Sequence, residues 1–168
     1  MDNEMKIEAP QKEHLWLQQL LGDWTFTSEM EMAPGQPAMK GGGSESVRAI
    51  GGFWVLSEGS CQMPGSDGGD KGIMLTTLGY DPKQNAFVGT WVGSMMTNMW
   101  VYKGKLDASQ KVLTLDTEGP SFSGDGKLAR YQDVLTIKNK DERTLHSQVR
   151  QDDGSWKRFM IATYRRVK

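Results

Sequence analysis

Beyond residue 22 the chain never runs far without a turn signal, and that punctuation restricts the fold more than any other feature. Clusters of Gly, Pro, Asn and Asp fall at 33–37, 51–52, 64–70, 81–85, 107–109, 119–120, 139–141 and 152–154. Between them lie short runs with β-branched and aromatic residues, the pattern of strands joined by tight connections. The runs predict strands at about 23–32, 44–50, 53–62, 72–80, 86–94, 98–106, 111–118, 128–138, 143–151 and 156–167. No helix-length segment interrupts them, which excludes the long crossovers that parallel strands need. A meander of about ten antiparallel strands leaves two unpaired edges, and closing the sheet removes both. The expected fold is all-β: a closed antiparallel up-and-down β-barrel.

One helix precedes the barrel. In Glu13–Leu21 the apolar residues Trp16, Leu17, Leu20 and Leu21 share one helical face. Pro10 suits the start and Gly22 the stop. The expected organisation is a tail over 1–10 and a single barrel domain over 11–168.

Charge and composition exclude several function classes. The net charge is −1, without the basic excess of a nucleic-acid binder. No apolar run is long enough for a helical membrane span. The start, MDNEMKIEAPQKEHLW, lacks the basic and apolar regions of a signal peptide. The expected location is therefore cytoplasmic, in keeping with the single Cys61. Met (11) and Trp (6) are abundant and supply adaptable, polarizable apolar surface.

The stretch 87–100, FVGTWVGSMMTNMW, carries no charge. It reads as two strands joined at Met95-Met96-Thr97, with apolar side chains on both faces. One face belongs to the interior, and the other needs a cover: the helix, a second subunit or a ligand.

Alternation assigns the inner face. Trp24, Phe26, Ser28 and Met30 share one face of the first strand, opposite Thr25, Thr27, Glu29 and Glu31. A two-residue hairpin at Gly51-Gly52 pairs Ala49 with Trp54 and puts Val47, Ala49, Trp54, Leu56 and Glu58 on one inner face, with Glu58 either an inward carboxylate or at the barrel mouth. Trp100, Tyr102 and Leu106 face in, as do Leu113, Leu115, Leu145 and Val149. The last strand offers two sets. The set of Trp156, Arg158, Met160, Ala162, Tyr164 and Arg166 is taken as inward, and a bulge would exchange the faces. With about ten strands the barrel is wide enough to leave a cavity.

These residues resemble known barrels. Gly22-Asp23-Trp24 after a short helix resembles the lipocalin G-x-W signature, and Arg165-Arg166 offers the late arginine that packs on that tryptophan and caps the barrel base. Leu78-Gly-Tyr-Asp-Pro82, Phe87-Val-Gly-Thr-Trp91, Leu106-Asp107, Thr117-Glu-Gly-Pro120, Asp125-Gly-Lys127 and Tyr164-Arg-Arg166 resemble a bacterial family known as domain of unknown function 1579. That resemblance implies a calycin-like fold and brings no activity, cofactor or catalytic residue. The chain departs from fatty-acid-binding barrels, which hold a carboxylate with Arg-x-Tyr on the last strand. It also departs from haem-binding barrels, which use an inward His. His14 is read as a solvated helix residue and His146 as a surface residue.

Two His and one Cys make no zinc pattern, the acidic turn at 66–70 falls short of a calcium loop, and no nucleophile elbow is present. Neither metal, cofactor nor catalytic residue is assigned. The expected function is binding of a small hydrophobic molecule by Trp54, Glu58, Trp91, Met95, Trp100, Tyr102, Tyr131, Arg158 and Met160, with Glu58 and Arg158 orienting a polar head. The alternatives are a cofactor-free acid–base enzyme that uses Glu58 in the same cavity, and an interaction protein that dimerises through 87–100.

Overall fold

The computed structural model describes residues 7–63 and 69–168. Residues 1–6 of the expected tail and 64–68 of the expected turn lie outside it. A short helix α1 (Lys12–Leu17) continues as a 3-10 turn (Gln18–Leu20) and leads into ten strands. These are β1 (Gly22–Met30), β2 (Met39–Ile50), β3 (Trp54–Gln62), β4 (Lys71–Asp81) and β5 (Ala86–Gly93). They continue as β6 (Trp100–Leu106), β7 (Val112–Pro120), β8 (Leu128–Asn139), β9 (Glu142–Arg150) and β10 (Trp156–Arg166). Each strand pairs with its sequence neighbour, and β1 pairs antiparallel with β10 to close the barrel. Among the described residues, no sheet edge remains unpaired.

The helix seals one end. Leu17 and Leu20 are buried against Trp24 and the adjoining core. His14 is buried rather than solvated, contrary to expectation. Its Nδ1 accepts the Gln11 amide proton at 2.9 Å, so Nε2 carries the ring proton and donates to the Tyr80 carbonyl, also 2.9 Å away. The expected arginine on tryptophan is Arg166, whose guanidinium lies 4.2 Å from the Trp24 ring centre. It donates to the carbonyls of Leu21 (2.5 Å), Gln19 (3.0 Å) and Lys140 (3.0 Å). Gly22 permits this. Its φ is +117°, and a Cβ there would come within 2.7 Å of Arg166 Nη1.

The inner face of β1 is as the alternation predicts, with Trp24 and Phe26 buried. The inner face of β3 is reversed. The β2–β3 loop holds three residues, Gly51 to Phe53, and pairs Ile50 with Trp54 and Ala49 with Val55. Phe53 leaves the ladder to pack edge-on against His14 at 5.1 Å. This one-residue shift exchanges every side chain of the strand between faces. Val55 and Ser57 are buried inside; Trp54 and Glu58 are exposed, and Leu56 lies with them on the outer face. Trp54 covers Gly79, where a Cβ would come within 2.3 Å of the ring.

The last strand contains the bulge. Register shifts between Arg158, opposite Gln148, and Met160, opposite Ser147. Met160, Ala162 and Tyr164 face inward as expected, whereas Arg158 and Trp156 do not. The expected inward placement of Arg158 is therefore corrected, along with the polar-head role it was to share with Glu58.

Candidate functional site: the helix-distal interior

The two halves of the barrel are filled differently. Near the helix, Val47, Val55, Leu78, Phe87, Leu113, Leu135 and Tyr164 form a buried core, with inward Tyr80, Leu106 and Ile137 partly buried beside it. In the other half, inward side chains in the ring of strands keep accessible surface. Met74, Trp91 and Met160 are only partly buried, as are Asp133 and Leu145 at mid-barrel, although each faces the barrel interior; Trp100, Tyr102 and Tyr131 beside them are buried. Interior groups that are covered by strands yet still reachable by solvent line a hollow.

The mouth of this hollow is rich in sulfur and aromatic surface. A Cβ on inward-facing Gly72 would come within 2.9 Å of Met63 Sδ and of the Met95 methyl, and 3.0 Å from Cys61 Sγ. One on Gly93 would lie 2.4 Å from Met95 Sδ. The absent side chains let Met63 and Met95 fold over the ends of β4 and β5. Across the mouth, Trp100 packs edge-on against Tyr131 at 5.1 Å. Phe122 and Phe159 pack on Tyr131 in turn. Tyr131 donates its hydroxyl to the Pro120 carbonyl at 2.8 Å.

Two polar groups of residues lie inside, and sequence reading missed the charged members of both. In the first, Glu45 and Arg143 form a buried ion pair. Ser57 donates to Glu45 Oε1 at 2.5 Å. The guanidinium also lies 4.6 Å from the Trp24 ring centre and 4.1 Å from that of Tyr164. Burial pushes the Tyr164 hydroxyl well above its ordinary value, and the Glu45 charge adds to this. In the second, Asp133 accepts hydrogen bonds from Ser147 Oγ (2.5 Å) and from the Tyr102 hydroxyl. Burial raises the Asp133 pKa, opposed by those two hydrogen bonds. Burial, followed by the Asp133 charge, raises Tyr102 well above its usual range.

Of the expected ligand contacts, the structure brings Trp91, Trp100, Tyr102, Tyr131 and Met160 to the interior and Met95 to the rim. Trp54, Glu58 and Arg158 are outside. The acid–base reading that relied on Glu58 therefore loses its carboxylate. Neither histidine faces the hollow: His14 is spent at the sealed end, and His146 lies on the outer face, one residue from inward Ser147. Burial lowers the His146 pKa. Among the described residues, no three His, Cys, Asp or Glu side chains converge on a metal-sized site. No helix among them is long and apolar enough to cross a membrane.

A separate cleft of about 420 Å³ lies at the helix end of the barrel, between α1 and the β6–β7 turn, lined by Lys12, Glu13, Trp16, Tyr80, Phe87, Leu106 and Asp107 among others. Its charges are of both signs, and Trp16 Nε1 already donates to the Gln110 carbonyl at 2.7 Å.

The family model described as "Protein of unknown function (DUF1579)" matches residues 9–166. No curated protein matches the chain. Among solved structures, the chain is similar to Rv2717c from M. tuberculosis, with TM-score 0.63 and 13% identity over 95% of this chain and 100% of that one. It is also similar to the S-type phycobiliprotein lyase CPES from Guillardia theta, with TM-score 0.58 and 12% identity over 95% and 99%. Identities this low show a shared fold and nothing about chemistry.

Proposed function

The chain belongs to the DUF1579 family, and on that footing we propose that it is a lipocalin-like binding protein for a small, largely apolar molecule held in the helix-distal half of the barrel. The observation that carries this reading is the accessible surface kept by inward Met74, Trp91 and Met160 in the half away from the helix. A concave, mostly apolar site with a few placed polar groups is the usual form of a small-molecule pocket. Methionine at the mouth suits a guest that must pass or be gripped, because its unbranched thioether adapts to irregular shapes. The test combines native mass spectrometry with tryptophan fluorescence across an apolar compound library. A 1:1 adduct with altered emission from Trp91 and Trp100 is expected. A library in which nothing binds or changes emission contradicts the proposal.

A second reading has its own observation. On the outer face of β4–β6, Ile73, Leu75, Val92 and Val101 are 38–58% exposed, and Leu75 stands opposite Val92. Such a patch marks a contact surface, and its apolar centre, with Glu58 opposite Leu75 at its margin, suits a second copy of the chain. Sedimentation should show a dimer that Val92→Lys dissociates. A monomer at high concentration rules this reading out.

A further inference from the structure

Resting on the binding reading, the geometry points to a guest that carries a positive charge or strong hydrogen-bond donor, and we infer that the preferred ligand class is a small apolar amine, with its ammonium group placed at Asp133.

The inference comes from the charge balance of the interior. Glu45 and Arg143 neutralise each other. Arg166 is outside the hollow, engaged with three carbonyls and with Asp141 at 3.5 Å. Arg158 is exposed on the outer face. Among the described residues, this leaves no unpaired cation in the interior to hold an anionic head group.

What remains is an acid. Asp133 faces inward from β8, and its two oxygens are held by the neutral hydroxyls of Tyr102 on β6 and Ser147 on β9. Tyr164 of β10 and, through the wall, His146 of β9 are the other titratable groups close enough to interact with it. A carboxyl group buried without a cation must hold its proton or acquire a cationic partner. Its inward neighbours Leu115, Tyr131 and Leu135 are apolar or aromatic, which suits the alkyl or aryl body of an amine and lets a ring face meet its charge.

A second polar atom points the same way. Thr117 opposes Tyr131 on the inward register of β7, and Leu115 opposes Asp133. Thr117 is thus the diagonal neighbour of Asp133, roughly 7–8 Å away along the sheet. Its hydroxyl oxygen is buried with no hydrogen-bond partner. A guest ammonium carries several donors, and Asp133 and Thr117 offer acceptors for two of them.

The experiment compares three ligands of equal chain length at pH 7: octylammonium, 1-octanol and octanoate, each below micellar concentration and read by tryptophan fluorescence and calorimetry. Octylammonium is expected to bind at least tenfold more tightly than octanol, with octanoate the weakest. Asp133→Asn should abolish the preference for the amine, with circular dichroism showing that the variant folds. Octanoate binding as tightly as octylammonium, or an amine preference that survives Asp133→Asn, overturns this inference. In that event, octanol binding still upholds the binding reading. Failure of all three to bind overturns both.

Discussion

The guanidinium of Arg166, at the end of β10, lies 4.2 Å from the Trp24 ring centre near the start of β1. The two residues lie opposite each other across the strand pair that closes the barrel. Arg166 therefore does two things at once. It covers the tryptophan, and it supplies donors to the last carbonyls of the helical segment, at Gln19 and Leu21. Helix, first strand and last strand meet on one side chain. Arg166→Ala should lower stability by about 3 kcal/mol, from lost charge-assisted hydrogen bonds and the cation–π contact. Urea unfolding should show a lower midpoint at constant slope. Arg166→Lys should recover little, because a single ammonium cannot reach three carbonyls while lying flat on the indole.

The Glu45–Arg143 pair invites a double-mutant test. Removing either charge leaves the other buried and uncompensated, at a cost of about 3–5 kcal/mol. Glu45→Leu and Arg143→Met should each fall in that range. The double variant should recover most of the loss, since an apolar pair of similar volume avoids the desolvation cost. Additive losses in the double variant would contradict the account of a mutually neutralising pair.

Asp133 makes a pH prediction with a definite sign. Its folded pKa is raised by burial, so the folded state binds a proton more tightly than the unfolded chain. Stability then falls as pH rises from the ordinary carboxylate range through the folded pKa, because the buried group must ionise. The exposed Asp81, Asp107 and Asp153 have lowered pKa values from local hydrogen bonds and act in the opposite direction, losing their contribution as pH falls. The difference between wild type and Asp133→Asn isolates the buried group. The variant should gain on the wild type as pH rises from 4 to 8 in paired urea titrations. A difference independent of pH would show that Asp133 does not titrate in this window.

The corrected faces predict which substitutions disturb binding. Trp91→Ala should weaken an apolar probe about tenfold, whereas Glu58→Gln, on the outer wall, should leave its dissociation constant unchanged. The reverse outcome would restore the original facing of β3.

The strand order was legible because turn residues punctuate the chain, and the face of β1 because its alternation is clean. The face of β3 was not. Gly51-Gly52 looks sufficient for a hairpin, and nothing local shows that Phe53 leaves the ladder for His14. On β10 the residues before and after 159 obey different parities, and only the register records the bulge. The interior charges were legible in principle. Glu45 shares parity with Val47, Asp133 with Tyr131, and Arg143 and Ser147 with Leu145 and Val149, all apolar or aromatic residues read as facing inward. Expecting apolar side chains at inward positions hid them, because polar partners on different strands cannot be matched until the barrel closes.

Xenon binding in a crystal tests the central claim most directly, because an unfilled apolar hollow takes up the gas and a packed core does not. The account predicts xenon density in the helix-distal half, among Met74, Trp91 and Met160, and none in the buried core around Leu113. A crystal whose own side chains fill that half and leave xenon no site would contradict it.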